Sequence, residues 1–510
     1  MMRKYLPVVF FFLLYGEIAA QQKPNILIII SDDHAYQAIS AYGSKLMKTP
    51  HIDRIAREGV LFNRAYCTNS ICGPSRAVLL TGKYSHKNGF KDNENSSFNG
   101  DQNSFAKELR KAGYQTSWIG KWHLQTTPQG FDFWQVLPGQ GSYYNPDFLM
   151  MDGSKKRIEG YVTGVTEDIA EHWLDNRDTA KPFCMVIGFN AAHRTWMPDT
   201  MDLGMFDKVT FPLPHNFYDN YAGRDAAKIQ DMTIAKTMRM DYDLKIFDNE
   251  ADKDRMGSIQ RMNTAQRKKF DTYYDTISFN LKAANLTGDA LTEWKYQRYM
   301  RDYLSTAASL DRNIGRTLDY LDKNDLAKNT FVIYLSDQGF YLGEHGWFDK
   351  RWMYEESFRT PMMLRYPGVV KPKTVSNDLV LNLDIAPTAL DAAGIAVPAD
   401  MQGASILPQL TKKAPRRNAI FYHYYEDGEH SVSPHFGVRT HRYKLIRFYK
   451  KVNNWELFDL KTDPHEMYNL FGKKEYQKIT LQLTQQLKEL ITAYEDQDAL
   501  TILNDPRPLP

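Results

Sequence analysis

Two short stretches of the 510-residue chain pair acidic or amide side chains, Asp32-Asp33 and Asp337-Gln338. All four offer oxygen and none of the four is cysteine or histidine, a donor set that suits a hard cation such as Ca²⁺ or Mg²⁺ rather than zinc. A third stretch, Cys72-Gly73-Pro74-Ser75-Arg76, sets a thiol ahead of a turn fixed by Pro74. From Ser75 onward a helix can open, and its N-terminus favours negative charge. Two histidines, His123 in Gly-Lys-Trp-His and His193 in Ala-Ala-His-Arg, are of the residue type that moves protons near neutral pH.

Elements of a particular kind must position these groups. Asn25 to Ser31 and Thr330 to Ser336 are continuous apolar, β-branched runs, and Phe183 to Phe189 is a third. Such runs mark strands buried on both faces of a parallel sheet. Helical patterns at Asp101 to Ala112, Thr166 to Asn176 and Tyr296 to Leu321 fall between or around them. The fold class is therefore α/β, a large mixed, mostly parallel sheet between helices, with its site outside the strands' carboxyl ends. Both acidic pairs follow directly on the two strongest strands. From about Arg416 the pattern changes to short aromatic strands, Ile420 to Tyr425, Phe436 to Thr440, Tyr443 to Phe448 and Glu456 to Leu460, then a helix from Glu475 to Glu495. These predict a smaller antiparallel sheet plus helix. The expected division is residues 21–415, carrying a helix-and-loop insertion at about 200–290, and residues 416–510.

Composition narrows the function classes. Lys+Arg 64 against Asp+Glu 61 leaves a net charge of +3, too balanced for a nucleic-acid-binding stripe. A hydrophobic share of 43% with 13% aromatics supports a packed interior. Residues 1–20 read as a signal peptide, with Arg3-Lys4, an uncharged run from Leu6 to Tyr15, and small residues at Ala19-Ala20. That run is too short to span a bilayer, and no later segment is long enough. The expected location is exported, periplasmic or secreted. Three cysteines, Cys67, Cys72 and Cys184, cannot all pair, so one thiol at least needs another explanation.

Cys-x-Pro-x-Arg followed by Thr81-Gly82 resembles the signature of the type I sulfatases, a branch of the alkaline-phosphatase-like superfamily. The resemblance runs from Lys23 to about Leu470 and includes Gly120-Lys121-Trp122-His123, Ser336-Asp337-Gln338-Gly339 and Asp349-Lys350-Arg351. It implies that a maturation enzyme oxidises Cys72 to formylglycine (3-oxoalanine), whose hydrate is the nucleophile. It also implies one calcium ion held by Asp32, Asp33, Asp337 and Gln338, with residue 72 completing its shell; Gln338 stands where relatives often have Asn. Arg76 is implied to hold the hydrated aldehyde, and Lys121 and Lys350 the sulfate oxygens. His193 is implied to protonate the leaving sugar oxygen, and His123 to take a proton from the diol. His34 and His345 receive at most a supporting role beside the metal stations.

Asp349-Lys350-Arg351 with Tyr354-Glu355-Glu356, and Tyr422-His423-Tyr424-Tyr425 with His435 to Thr440, resemble the N-acetylglucosamine-6-sulfatase group. On that resemblance Asp349 and Arg351 bind ring hydroxyls, joined by His435 from the small sheet, and the sulfate clamp of Lys121, His193 and Lys350 completes the substrate site. The aromatics at 422–425 either stack on the sugar or pack a strand. The expected activity is exo-acting removal of 6-O-sulfate from terminal N-acetylglucosamine of a sulfated carbohydrate. The alternatives are an iduronate-2-sulfatase-like enzyme, a phosphate or phosphonate ester hydrolase of the same superfamily, and a sulfated-glycan-binding protein with unmatured Cys72.

Overall fold

The computed structural model describes residues 23–411 and 415–505. The expected signal peptide, residues 1–20, lies outside the described residues. Among the described residues no helix is long and apolar enough to cross a membrane.

Asn25–Ser31 forms the strand its β-branched run predicts and is buried along its whole length. It lies in a ten-stranded sheet with parallel neighbours on both sides, Thr330–Ser336 and Phe183–Gly188. Gln115–Lys121 runs parallel beyond Phe183–Gly188, followed by Phe133–Leu137. Met362–Arg365 runs antiparallel beside Thr330–Ser336, so the sheet is mixed but mostly parallel, as expected. In register, Ser31 meets Ser336 and Gly120 meets Gly188. Four carboxyl ends therefore open on one edge and deliver Asp32, Asp337, Lys121 and the chain leading to His193.

Helices cover both faces. Gly288–Lys323 is the longest, 36 residues, and begins eight residues before the periodic run that predicts it. Its Tyr303 hydroxyl donates to the Asp33 carbonyl at 2.7 Å and accepts from the Ala35 N–H at 2.8 Å, fixing the chain just past the first acidic pair. The helix expected from Ser75 instead starts at Cys72, running Cys72–Thr81 with Pro74 inside its first turn, and all ten residues are buried. Proline fits there because first-turn N–H groups have no intrahelical partner. Ser104 caps the Phe105–Lys111 helix by accepting from the Lys107 N–H at 3.3 Å, so the Asp101 start expected from the pattern is too early.

Ala419–Tyr424, His435–Thr440, Tyr443–Phe448 and Trp455–Asp459 form a separate four-stranded antiparallel sheet in chain order, followed by the Gln477–Ala493 helix. Lys444 donates from Nζ to the Met353 carbonyl at 2.6 Å, and the Tyr422 hydroxyl donates to the Arg351 carbonyl at 3.3 Å. The small sheet thus braces the segment that carries Lys350.

Gly120 has φ of +93°, and a Cβ there would lie 2.1 Å from the Gly188 carbonyl oxygen. A Cβ on Gly188 would in turn meet the Lys121 carbonyl oxygen at 2.5 Å. Two strands approach this closely only because both residues lack side chains. Gly120→Ala is expected to cost about 3 kcal/mol or more through backbone overlap and positive φ, read as a lowered denaturation midpoint; an unchanged midpoint would refute the close approach.

Candidate functional site

Asp32, Asp33 and Asp337 are fully buried, and one oxygen from each lies within 4.8 Å of the others. Three cations answer them. Arg76 donates from Nε to Asp337 Oδ2 at 2.9 Å and from Nη1 to the Lys121 carbonyl at 2.8 Å. Lys350 donates to both oxygens of Asp33 at 2.7 Å, and Lys121 contacts Asp32 and Gln140. Arg76 lies one helical turn beyond Cys72, which puts both on one face of their helix.

Crowding appears in the acidities. Burial, with Asp32 and Asp337 beside it, pushes Asp33 up to about 8 against the pull of Lys350. Burial and Asp32 push Asp337 up to about 6. Burial also works to raise Asp32, but Lys121, then His193 and Arg76, hold it far below the usual carboxylate range.

These side chains fit a hard cation. Asp32 Oδ1 and Gln338 Oε1 are buried acceptors without a hydrogen-bond partner among the described residues. Gln338 reaches Asp33 through its amide nitrogen. Buried acceptors are rarely left unmatched, and an all-oxygen set of three carboxylates and an amide matches calcium or magnesium.

Cys72 and His193, whose ligand atoms lie within 4.8 Å of an Asp32 oxygen, lead from this buried cluster into a cavity of about 510 Å³ that they line with His123, Asp349, Lys350 and Arg351, together with Asn93, Gln140, Arg194, Arg239, Tyr242 and Glu429. Burial and Asp32 push the Cys72 thiol up to about 12, so it is no thiolate at neutral pH. His193 Nδ1 lies 2.5 Å from the Arg194 carbonyl oxygen. A carbonyl can only accept, so Nδ1 carries the hydrogen and Nε2, 4.0 Å from Asp33 Oδ2, is the exchangeable position. Burial, then Lys121, pushes His193 down to about 3 and His123 well below its ordinary value. His123 has φ of +59° and a buried Nδ1 without a partner among the described residues.

The far side of the cavity is a charged cage. Arg351 donates from Nη1 to Asp349 Oδ1 and from Nη2 to Glu429 Oε2, both at 2.7 Å. His430 Nε2 stands 2.9 Å from Asp349 Oδ2. Burial opposes the charge on Asp349, but Arg351 and His430 hold its carboxyl well below the usual range.

Not every expected residue arrives. His435 is fully buried; its Nε2 accepts from the Met353 N–H at 3.1 Å and its Nδ1 donates to the Ser433 carbonyl at 2.8 Å. Both ring nitrogens are committed to backbone, so His435 fastens the small sheet to the Met353 segment instead of facing a sugar. His430 occupies the place expected for it. Tyr422 and Tyr424 are fully buried, which makes them strand packing. His34 Nδ1 meets the Tyr334 hydroxyl at 2.6 Å, while His345 Nδ1 meets Asp219 at 2.7 Å. Asn93, Gln140 and Glu429 escaped the sequence reading because they stand on loops or a single 3-10 turn with no motif around them, although Pro138-Gly139-Gln140-Gly141 is a plain turn signal. Arg194 is in view beside His193 but receives no role there.

Burial pushes His34 and His435 each down to about 3. An unfolded chain takes up these protons near pH 6.5, so between about 6.5 and 3 the unfolded state binds more of them and stability rises with pH. The contribution of these two imidazoles to the melting temperature is expected to be constant above pH ~6.5 and to be lost progressively below it. It is opposite in sign to that of the raised Asp33 and Asp337 carboxyls, so it is read as the difference between parent and variant. His435→Gln should melt lower at neutral pH and show a shallower acid slope; a slope equal to that of the parent would refute the assignment.

A sulfatase family model matches residues 24–395, and a model of the C-terminal region of N-sulphoglucosamine sulphohydrolase matches residues 343–493. The chain is 49% identical over 491 residues to an N-acetylglucosamine-6-O-sulfatase of Bacteroides thetaiotaomicron, covering 94% of this chain and 88% of that one. It is 27% identical over 447 residues to the human N-acetylglucosamine-6-sulfatase, covering 82% and 70%. A solved structure in complex with its substrate D-glucosamine-2-N,6-O-disulfate superposes with a TM-score of 0.91 at 48% identity, covering 94% of this chain and 99% of that one. A phosphonate monoester hydrolase from Silicibacter pomeroyi, 21% identical with a TM-score of 0.67 over 92% of this chain and 95% of its own, shares the fold.

Proposed function

This chain belongs to the sulfatase family, and on that premise we propose that it is an exo-acting sulfatase removing the 6-O-sulfate from N-acetylglucosamine at the non-reducing end of a sulfated glycan. The observation that carries the reading is one cavity with two unlike ends. Lys350, His123 and His193 line one end beside Cys72, with Lys121 and Arg76 behind them on Asp32 and Asp337, a constellation suited to a sulfate. Asp349, Arg351 and Glu429 line the other, with His430 behind Asp349; there carboxylates accept from ring hydroxyls and the guanidinium donates to them. The printed names of the 49% identical relative and of the substrate complex support the same sugar.

Sulfate ester cleavage crowds negative charge onto oxygens, and Arg76, Lys121 and Lys350 meet it with fixed cations in a site removed from water. When bound, a calcium ion held by Asp32, Asp33, Asp337 and Gln338 would polarise a sulfate oxygen, and formylglycine at position 72 would supply a hydrate hydroxyl as nucleophile. Charge supports the pairing. Binding of a divalent ion would displace the proton that burial keeps on Asp33; the three carboxylates would then balance the three cations, and the two charges of the ion would be balanced by one sulfate monoester and one ionised hydroxyl. The raised pKa of the buried Cys72 thiol supports the same reading, because an unconverted thiol here is a weak nucleophile. His193 Nε2, left free by the Nδ1 bond to Arg194, is placed to hand a proton to the departing alcohol once the ring has taken one up, which the negative charge of a bound sulfate ester favours against the burial and the Lys121 charge that otherwise keep it neutral. His123 accepts the proton released at residue 72. Asp349 and Arg351 orient the ring so that its 6-substituent enters the cationic end. The proposal includes export directed by residues 1–20 and transient contact with a maturation enzyme.

Protein from its native host should be lighter than its sequence by about 18 Da at residue 72. It should release sulfate from N-acetylglucosamine-6-sulfate and spare 2-sulfated uronate, and Cys72→Ala should lose activity. Release from the 2-sulfate alone, or an intact thiol in active enzyme, would sink the reading. Asp349→Ala should raise KM on the monosaccharide about tenfold or more by removing a charged hydrogen-bond acceptor. Chelation should lower both activity and melting temperature, and Ca²⁺ should restore them; indifference to chelator would remove the metal from the account.

A further inference from the structure

The most spacious cavity described is not the one that holds Cys72. It is an open groove of about 920 Å³ between the Thr264–Ala284 helix, the Gly288–Lys323 helix and the loop at 200–207, within the size range of cavities that enclose a small-molecule ligand. Lys268, Lys269, Arg298 and Arg301 line it against a single carboxylate, Asp207. Asp207 is already engaged, accepting from the Tyr273 hydroxyl at 2.6 Å. Lys268, Lys269 and Arg301 have no acidic partner within ion-pair distance among the described residues, and Arg301 donates only to the Val209 carbonyl, at 3.1 Å. Burial and the neighbouring Arg298 make the Arg301 charge less favourable than usual. Arg298 is 3% exposed and already paired, with Asp302 through Nη2 and with the Tyr273 hydroxyl and Asp207 through Nη1; the Nε of Arg301 is a buried donor with no partner among the described residues.

Exposed Lys268 and Lys269 and half-buried Arg301, three cations on one groove without a carboxylate partner among the described residues, suit an anionic occupant. The half-buried rings of Tyr273 and Trp294 lie in the same groove, with the hydroxyls of Thr272 and Thr276 and the amide of Asn280. Aromatic faces receive the C–H side of a pyranose, the small polar groups its hydroxyls, and the cations its sulfates. We propose that this groove is a second carbohydrate site that holds an internal stretch of a sulfated glycan. The inference rests on the proposed substrate class but not on the chemistry at residue 72. Tyr303, two residues beyond Arg301, faces inward to Asp33, so the groove lies on the opposite side of the same helix from the reacting centre. Holding a chain there keeps its ends at high local concentration without touching catalysis.

The test uses the mature enzyme and a heparin hexasaccharide that begins with an unsaturated uronate, which offers the exo-cavity no terminal glucosamine. Binding is measured by calorimetry at several salt concentrations for the parent, for Lys268→Glu/Lys269→Glu/Arg301→Gln, and for Trp294→Ala. Both variants should bind the hexasaccharide at least about tenfold more weakly, and the charge variant should show a flatter salt dependence. Turnover of N-acetylglucosamine-6-sulfate should stay within about twofold of the parent for both. Equal affinity in parent and charge variant would overturn the proposal, as would a parent that fails to bind the hexasaccharide. So would a change from dimer to monomer on sedimentation without a change in affinity, which would make the groove a self-association face. A parent that binds the hexasaccharide yet releases no sulfate from the monosaccharide would refute the proposed activity and leave the groove standing.

Discussion

Three carboxylates forced together out of water are the constraint around which this protein is built. Asp32, Asp33 and Asp337 cannot share so small a volume unless cations stand against them, because burying an unpaired charge is costly. Arg76, Lys121 and Lys350 supply that compensation from three separate parts of the chain: a helix, a strand end and a loop. The parallel sheet makes the meeting possible, since adjacent strands running the same way finish on the same edge. No single element of this cluster could be moved without stranding a charge.

Much of the surrounding architecture serves to hold those positions. The paired glycines 120 and 188 let two strands approach until Lys121 and Arg76 reach the same carbonyl region. Tyr303 clamps the chain after Asp33. The four-stranded sheet grips the Asp349–Phe358 segment through Lys444, His435 and Tyr422, which keeps the Lys350 ammonium on Asp33. The small sheet therefore acts on the reacting end of the cavity indirectly, through backbone hydrogen bonds.

The legibility of these features in the sequence followed their physics. Asn25–Ser31 and Thr330–Ser336 were readable to the residue because a strand covered on both faces tolerates little besides β-branched and aliphatic side chains. The clustering of Asp32, Asp33 and Asp337 with Arg76 of the Cys-x-Pro-x-Arg run was readable because the three carboxylates follow such strands, and by family resemblance. The Cys72 helix began three residues earlier than expected because the turn that Pro74 suggests is also compatible with a first helical turn. The side of the cavity that bears Asp349 and Arg351 was read less well. His435 and His430 are five residues apart in an aromatic segment, and only the pairing of His435–Thr440 with its neighbours decides which imidazole is sealed inside and which reaches Asp349. Gln140 and Asn93 come from loops whose placement depends on distant contacts.

The helix that begins at Cys72 is sealed along its full length, and Cys72 itself is 1% exposed. On the proposed conversion of Cys72, this would set a schedule for biosynthesis. A modifying enzyme needs to lay several residues of its client along its own surface, and the finished globule presents none of this segment. Any conversion of the side chain must therefore occur while the polypeptide is still extended, in competition with its collapse. Copies that collapse first would persist as well-formed but inert molecules, so the yield of working enzyme in a cell would be decided by a race during synthesis.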